Sequence, residues 1–152
     1  GYLEFLAKLS KPLKAKLKIY DKGLDFGCGH GPALAEMLKA DGFSIDLYDP
    51  FFYPNKDIFK KKYNFITCTE TAEHFFNPSK EFKTLDSLLM PGGWLGVMTT
   101  FLTEDSLFNN WYYRRDPTHV VFYAERTLEI IADQNNWQLE IPMKNVALFC
   151  KH

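Results

Sequence analysis

One segment constrains the fold more than any other: a short apolar run ends in a cluster of glycines and leads directly into a helix-forming stretch. Its sequence over residues 24–31 is Leu-Asp-Phe-Gly-Cys-Gly-His-Gly, and Pro32 follows, a residue that the first turn of a helix tolerates well. Glycines at such a turn let the backbone approach a ligand where side chains would collide, and the following helix adds free N–H groups. The segment therefore predicts a buried strand, a ligand-binding turn and a helix.

Strand-like and helix-like segments alternate along most of the chain. We expect strands over residues 23–26, 44–48, 63–69, 94–100, 137–141 and 145–149, and helices over 33–40, 79–89 and 124–135. Alternating units of this kind give a mostly parallel sheet with right-handed crossovers. The last two strands, joined by a turn at Pro142, would add an antiparallel edge. The triplet Pro91-Gly92-Gly93 would end the helix before the strand at 94–100.

Two regions depart from a full α/β unit. Between Asp49 and Tyr63 the chain has room for neither a full helix nor a further strand, so the predicted fold is abbreviated there. Before the first strand, leucines at spacings of three and four predict a helical stripe that Pro12 divides into two short pieces. This stripe either packs against the core or covers a substrate cleft. We expect one domain over residues 1–152, with a helical segment at 1–20 and the α/β core at 22–149.

Charge and cysteine content narrow the class of ligand and the compartment. The 18 basic and 19 acidic residues nearly cancel, so nothing in the net charge favours nucleic acid or an anionic membrane, and a small molecule is the expected partner. Cys28, Cys68 and Cys150 are odd in number and widely spaced, which argues against a disulfide framework or a zinc knuckle and fits a reducing cytoplasm. No apolar run approaches the about 20 residues that span a bilayer.

The spacing of the glycines separates two classes of nucleotide-containing cofactor. A dinucleotide fingerprint, G-x-G-x-x-G, would need its third glycine where this chain has Pro32, so an NAD-dependent oxidoreductase is disfavoured. Asp49 ends the next predicted strand, where a carboxylate accepts hydrogen bonds from ribose hydroxyls, although an Asp-Pro pair also forms turns. Phe51 and Phe52 follow directly and offer an apolar wall to an adenine ring.

The order of three motifs resembles that of the class I S-adenosylmethionine (SAM)-dependent methyltransferases. The G-x-G-x-G turn resembles the first motif of that superfamily. The predicted strand at 63–69 leads into Glu-Thr-Ala-Glu-His at 70–74, which resembles the Glu-x-x-Glu-His segment of ubiquinone-biosynthesis-type small-molecule methyltransferases. Residues 89–95, Leu-Met-Pro-Gly-Gly-Trp-Leu, resemble the superfamily's turn into its fifth strand. The resemblance covers about residues 22–141 and implies a Rossmann-like three-layer sandwich.

Carried over to this chain, the resemblance implies SAM as cofactor and S-adenosylhomocysteine as product. The residues that it places around the amino-acid half of SAM are Asp25, Gly27, Cys28, Gly29 and Gly31. The residues that it places at the ribose and adenine half are Asp49, Pro50 and Phe51, and those beside the methionine and sulfonium are Thr69 and Glu70. The superfamily's adenine contacts after a third strand have no counterpart, because residues 49–63 are too few to form that strand.

The acceptor side of the site is expected in the polar, aromatic loop at 109–119. This loop resembles the Asp-x-Thr-His-x-x-Phe-Tyr stretch of some bacterial methyltransferases, and its His119 is the candidate base for deprotonating a hydroxyl acceptor. Arg114 and Arg115, with Tyr113, would bind an anionic acceptor group, unless an Arg-Asp pair merely holds the loop together.

Aromatic side chains crowd the same region and indicate either a flat, apolar acceptor, such as a quinol or a lipid-like precursor, or a part of the core. They are Trp111, Tyr112, Tyr113, Phe122 and Tyr123. The expected function is O-methylation of a small molecule by a cytoplasmic enzyme, and the alternative is a SAM- or nucleoside-binding regulatory module without catalysis. No metal is expected, because His30, Glu73 and His74 match no familiar ligand spacing.

Overall fold

The computed structural model describes residues 1–101 and 123–152, which form four α-helices and six strands. The helices are α1 (Tyr2–Lys14), α2 (Ala33–Ala40), α3 (Pro78–Leu88) and α4 (Glu125–Asn135). The strands are β1 (Lys22–Phe26), β2 (Ser44–Tyr48), β3 (Tyr63–Thr69), β4 (Leu89–Met98), β5 (Trp137–Met143) and β6 (Val146–Lys151). The predicted bounds of α2, β2 and β3 agree with these. No helix in the described part of the chain is long and apolar enough to cross a membrane.

The strands form one sheet in the order β2-β1-β3-β4-β6-β5. β1 to β4 are parallel to one another, and β6 is antiparallel to both β4 and β5. Successive residues of β4 alternate between two buried clusters, one containing Leu9 of α1 and Leu38 of α2, the other Leu85 of α3 and Leu128 of α4. Helices therefore cover both faces of the sheet, and the predicted three layers and antiparallel edge are confirmed.

The N-terminal segment forms one helix, so the prediction of two short pieces is wrong. Pro12 lies inside α1, near its carboxyl end. The proline costs the helix the hydrogen bond to the carbonyl of Lys8, but Lys8 is exposed to solvent. Leu9 and Leu13, on either side of the proline, are fully buried against the sheet and α2. Packing of the leucine stripe outweighs the local cost of the proline.

The short crossover between β2 and β3 confirms the abbreviated region. Residues 49–62 contain a 3₁₀ helix, Lys56–Lys60, but neither an α-helix nor a named strand. The side chain of Asn55 caps it by accepting a hydrogen bond from the N–H of Asp57 at 3.0 Å, and Ile58 is buried. Because no further strand follows, β2 is an edge of the sheet.

The Pro91-Gly92-Gly93 triplet does not end α3, which corrects a second prediction. The helix ends at Leu88 and β4 begins at Leu89, so the triplet lies inside the strand, where the pairing with β3 shifts register. A side chain on Gly93 would lie 2.9 Å from the carbonyl oxygen of Asn64 on β3. Glycine therefore permits an irregular, closely packed stretch of strand.

β5 and β6 form the predicted antiparallel pair, but their turn is not at Pro142. Pro142 lies within β5, at an edge of the sheet and next to a register shift, where a proline is tolerated. The turn is made by Lys144 and Asn145, and Asn145 has φ +71°, which asparagine adopts more readily than most residues. Its side chain also accepts a hydrogen bond from the N–H of Phe101 at 2.8 Å.

Candidate functional site

The carboxyl ends of β1, β2 and β3 lie side by side at one edge of the sheet. β1 pairs in parallel with β2 on one side and with β3 on the other, so the loops that follow these strands meet. Ligands of open α/β sheets bind at this edge. The three loops start around Gly27, Asp49 and Glu70, so the fold brings together the segments that the sequence singles out.

The glycine turn after β1 is held from two sides by hydrogen bonds. The N–H groups of Gly27 and Cys28 donate to the carbonyl oxygen of Tyr48 at 2.7 and 3.2 Å. The hydroxyl of Thr71 donates to the carbonyl oxygen of Gly27 at 3.0 Å. Gly27 has φ +77°, and a Cβ atom there would lie 2.3 Å from the methyl carbon of Thr71. This position therefore requires glycine for its backbone conformation and for its closeness to Thr71.

Asp49, at the tip of β2, binds the backbone of two loops. Its Oδ2 atom accepts a hydrogen bond from the N–H of Gly29 at 2.9 Å. Its Oδ1 atom accepts from the N–H groups of Phe51 and Phe52 at 2.9 and 3.2 Å. The residue is buried but lines a large cavity that the described residues form at this edge. Asp49 therefore stabilises the turn that follows β2, as expected of an Asp-Pro pair. Its position in the cavity lining also allows it to contact a ligand.

Asp25 is a buried carboxyl group beneath the glycine turn. It is 4% exposed and accepts a hydrogen bond from the hydroxyl of Thr67 at 3.1 Å. Burial raises the pKa of Asp25 from 3.8 to about 6; the hydrogen bond from Thr67 limits the rise, and the charge of Asp49 adds to it. A cationic group bound next to Asp25 would favour its ionised form.

The tip of β3 carries two residues with features of a ligand-binding segment. Glu70 has φ +53°, which non-glycine residues rarely adopt and which is often found at functional sites, and its N–H donates to the carbonyl oxygen of Met98 at 2.7 Å. The hydroxyl of Thr69 is buried and has no hydrogen-bond partner among the described residues. A buried hydroxyl is costly to leave unpaired, so a ligand that bonds to Thr69 gains affinity there.

Within the described part of the chain, two cavities open at this edge, and Gly27 and Glu70 line both of them. The smaller has a volume of about 50 Å³. Its lining includes Asp25, Cys28, Gly31 and Thr69, together with Tyr2 and Leu6 of α1. Helix α1 therefore packs its leucine stripe on the sheet, as one of the two interpretations predicted, and its first turns also line this small cavity.

The larger cavity is a cleft of about 890 Å³ with aromatic walls. Its aromatic lining residues are Phe26, Tyr48, Phe51, Phe59, Phe75 and Phe76. Its polar lining residues are Asp49, Glu70, Thr71, His74, Glu81 and Thr84. A cleft of this size and composition suits a small ligand with a flat apolar part.

The predicted cofactor residues gather at the two cavities. Those at the smaller cavity are Asp25, Cys28, Gly31 and Thr69; those at the larger are Asp49, Pro50 and Phe51; Gly27 and Glu70 are at both. Gly29 lies in the turn and is bonded to Asp49. The predicted acceptor-side residues Tyr113, Arg114, Arg115 and His119 lie outside the described residues, as do Trp111, Tyr112 and Phe122.

Two groups near the site belong to the buried core. Tyr123 is buried, which raises the pKa of its hydroxyl, and it donates a hydrogen bond to the carbonyl oxygen of Ala72 at 2.8 Å. Glu73 is buried as well, which raises the pKa of its carboxyl, and it accepts a hydrogen bond from Thr99 at 3.1 Å. Tyr123 is therefore a core aromatic residue, the second of the two possibilities that the sequence left open.

Sequence reasoning missed several residues that line the cavities: Tyr2, Phe59, Thr71, Glu81 and Thr84. The sequence does carry a signal for Phe59: an aromatic residue in a crossover too short to form its own core is a candidate for lining a cavity. Glu81 and Thr84 had none, since they lie on α3, an ordinary amphipathic helix whose polar positions all look alike in the sequence.

Comparison with protein families gives one match over most of the chain. A family model described as a methyltransferase domain matches residues 2–140, from the start of α1 to within β5. No curated protein sequence matches the chain.

Solved structures match the fold over nearly the whole chain. A Bacillus halodurans protein provisionally named a methyltransferase is 20% identical with a TM-score of 0.65, and the match covers 91% of this chain and 71% of that one. A SAM-dependent methyltransferase of Methanosarcina mazei is 13% identical with a TM-score of 0.65, and the match covers 91% of this chain and 94% of that one. Magnesium protoporphyrin IX methyltransferase of Synechocystis, solved with bound S-adenosylhomocysteine, is 12% identical with a TM-score of 0.66. That match covers 99% of this chain and 84% of the other. At such identities the likeness establishes the Rossmann-like fold alone.

Proposed function

This chain belongs to the class I SAM-dependent methyltransferases, whose methyltransferase-domain model matches residues 2–140, and from that premise we propose that it methylates a small-molecule acceptor, preferentially at oxygen. It is an enzyme with SAM as its cofactor. Residues 1–152 would act as one domain in which α1 forms part of the site. The observation that carries the proposal is the pair of cavities that share Gly27 and Glu70 at the carboxyl edge of the sheet.

The residues at the two cavities fit SAM chemically. Its amino group and its sulfonium are cationic, and the smaller cavity is lined by Asp25 and Glu70, whose side chains carry carboxyl groups. The unpaired hydroxyl of Thr69 is available to a polar group of the amino-acid half. The adenosine half is flat and suits the aromatic walls of the cleft, with Asp49 near the ribose. This match of charge and shape supports the roles proposed for these residues.

The protein has mainly to position the reactants and to exclude water, because SAM when bound supplies a methyl group that is already activated. The carboxylates of Asp25 and Glu70 would stabilise positive charge at the amino group and sulfonium. Asp49 would bind the ribose hydroxyls through the lone pairs that its three backbone hydrogen bonds leave free. The glycine turn, which is held by hydrogen bonds, would keep these groups at fixed positions relative to one another.

On the acceptor side, the proposal draws on the loop between β4 and α4. His119 would accept the proton of a hydroxyl acceptor, and Arg114, Arg115 and Tyr113 would bind its anionic or polar part. The near-zero net charge of the chain fits a small acceptor better than a nucleic acid. Membership of an enzyme family favours catalysis over a purely regulatory binding module.

The proposal is tested by turnover and binding together. We expect the protein to form S-adenosylhomocysteine from SAM with at least one member of a panel of hydroxylated aromatic and lipid-like molecules. His119→Ala should lower that rate about 100-fold or more, since general base catalysis contributes this much, while the affinity for S-adenosylhomocysteine, measured by calorimetry, stays within about twofold. His152→Ala, which changes an exposed histidine at the end of the chain, is the matched control.

Each outcome has a distinct meaning. Turnover only with amine acceptors would overturn O-methylation, and an unchanged rate in His119→Ala would remove His119 from the mechanism. Failure of the folded wild type to bind either SAM or S-adenosylhomocysteine would overturn the assignment of the two cavities as the cofactor site.

A further inference from the structure

Helix α3 forms part of the wall of the larger cleft and offers hydrogen-bond acceptors to a ligand there. We propose that Glu81 and Thr84 recognise the exocyclic amino group of the adenine of SAM, so that this chain selects a 6-aminopurine cofactor through a helix rather than through a loop after a third strand. This inference rests on the proposed function, because it assumes that the adenosine half of SAM lies in the cleft.

Thr84 can act only as a hydrogen-bond acceptor towards a ligand, because its hydroxyl hydrogen already bonds to the backbone. Its hydroxyl donates to the carbonyl oxygen of Lys80, one turn earlier in α3, at 3.1 Å. A hydroxyl has one hydrogen and two lone pairs, so the oxygen of Thr84 can only accept a further hydrogen bond. Thr84 lines the cleft and is half-buried, which leaves this oxygen within reach of a ligand.

Glu81 is the second acceptor, one turn from Thr84 on the same side of α3. An ionised carboxylate only accepts hydrogen bonds, and Glu81 makes no ion pair with any lysine or arginine of the described residues. Its negative charge reaches into the cleft: Tyr48 also lines the cleft, and the pKa of its hydroxyl is raised by burial first and by the charge of Glu81 second. Glu81 is therefore a half-buried carboxylate in the wall of the cleft, and no lysine or arginine within residues 1–101 and 123–152 forms an ion pair with it.

Aromatic rings near these acceptors provide the surface for a flat base. The ring of Phe59 packs edge-on against that of Tyr48, with centroids 5.1 Å apart, and both line the cleft. Phe51 and Phe76, which also line it, are 86% and 92% exposed. Exposed aromatic side chains gathered around one cavity are typical of a binding site, and each of them presents a π-face on which a purine can stack.

The topology explains why the contacts would come from α3. β2 is an edge of the sheet, and the crossover that follows it holds only the 3₁₀ helix Lys56–Lys60 between Asp49 and β3. The part of the crossover after Asp49 contributes two aromatic rings, Phe51 and Phe59, to the cleft, but none of its charged side chains lines it. Among the described residues, Glu81 and Thr84 supply acceptors on α3, where a base stacked on the aromatic wall would present its edge.

Two acceptors match an amino group and reject an oxygen. The 6-amino group of adenine has two N–H donors, one for each acceptor. A 6-oxopurine would place a carbonyl oxygen against a carboxylate and would offer neither acceptor a donor from its 6-position, which costs more than the loss of one contact. The site should therefore separate the two bases by hydrogen bonding rather than by shape.

The test compares the binding of S-adenosylhomocysteine and S-inosylhomocysteine, which carries an oxygen in place of the 6-amino group, by calorimetry. We expect the wild type to prefer S-adenosylhomocysteine about tenfold or more. Glu81→Gln should lower this preference about fivefold or more, because the amide can donate to the 6-oxygen. Thr84→Val, which removes the acceptor at nearly constant shape, should also lower it. Glu129→Gln, an exposed glutamate of α4, should leave it unchanged.

The outcomes separate this inference from the proposed function. Equal affinity of the wild type for the two ligands, or an unchanged preference in both Glu81→Gln and Thr84→Val, would overturn the recognition of the amino group while leaving the methyltransferase assignment standing. A wild type that binds neither ligand would overturn the cofactor site and this inference with it. Thermal unfolding of each variant, expected to match the wild type, shows that a change in preference does not come from loss of the fold.

Discussion

The two cavities that the described residues form at the carboxyl edge of the sheet are built by different means, although they meet at Gly27 and Glu70. Around the smaller cavity, short loops are tied by backbone hydrogen bonds, and the polar groups of Asp25 and Thr69 are buried. Around the larger cleft, aromatic rings from four separate segments form the walls, and several are exposed. The first region tolerates little change of geometry, whereas the second depends on a sum of weak contacts. Substitutions should therefore have large effects in the first and graded effects in the second.

The largest effect is expected at the glycine turn. Gly27→Ala combines a left-handed backbone conformation with a Cβ atom 2.3 Å from the methyl carbon of Thr71. We expect a loss of about 2–5 kcal/mol in the free energy of unfolding, as the sum of backbone strain and overpacking, together with loss of S-adenosylhomocysteine binding. Urea unfolding and calorimetry measure the two effects.

Gly42→Ala separates the two causes of that loss. Gly42 has φ +98°, but no atom lies within 4 Å of a Cβ built there. This variant should cost only the strain, about 1–2 kcal/mol, and should bind S-adenosylhomocysteine normally. If both variants cost the same, the contact with Thr71 contributes nothing and the glycine turn is less rigid than its hydrogen bonds indicate.

A smaller effect is expected from the buried carboxyl group beneath the turn. The pKa of Asp25 is about 6 in the folded protein, against 3.8 as the ordinary value. As the pH falls, Asp25 therefore binds a proton in the folded state before it does so in the unfolded state. The free energy of unfolding rises as the pH falls from about 7 towards 4, and the gain is complete below about 4. The full shift corresponds to at most about 3 kcal/mol.

Asp25→Asn isolates this contribution. The variant should show a flatter dependence of the free energy of unfolding on pH between about 4 and 6, measured by urea unfolding at each pH. Glu73, whose pKa burial also raises, leaves a residual slope of the same sign in both proteins. Asp57→Asn, at an exposed aspartate, should follow the wild type. Parallel curves for wild type and Asp25→Asn would show that Asp25 is not held neutral by burial.

The smallest effect is expected in the aromatic cleft. Phe59→Ala removes one of several rings, and Phe59 is 42% exposed, so stability should change little. The affinity for S-adenosylhomocysteine should fall about five- to tenfold, which corresponds to about 1–1.4 kcal/mol, at the lower end of the range for stacking a base on an aromatic ring. Tyr20→Ala, at an aromatic residue that is 89% exposed and does not line the cleft, is the control. Equal affinities of the two variants for S-adenosylhomocysteine would show that the adenine does not stack on Phe59.

The elements that sequence reasoning predicted well are those whose signals are local. The strands β2 and β3 and the helix α2 have the predicted bounds, because apolar runs, helical periodicity and turn residues act over a few positions. The predicted cofactor residues likewise lie in three segments at the ends of β1, β2 and β3. A parallel sheet brings such segments together whatever the details of the packing.

The amino-acid sequence by itself determined the alternating architecture, the glycine turn and the family of the chain. Only the tertiary structure decided where local costs were outweighed by packing, as at Pro12 in α1, at Pro142 in β5 and at the glycine pair in β4. It alone also placed Glu81 and Thr84 in the cleft. Which polar face of α3 meets a ligand depends on how the helix packs on the sheet, and that orientation results from contacts between residues far apart in the chain.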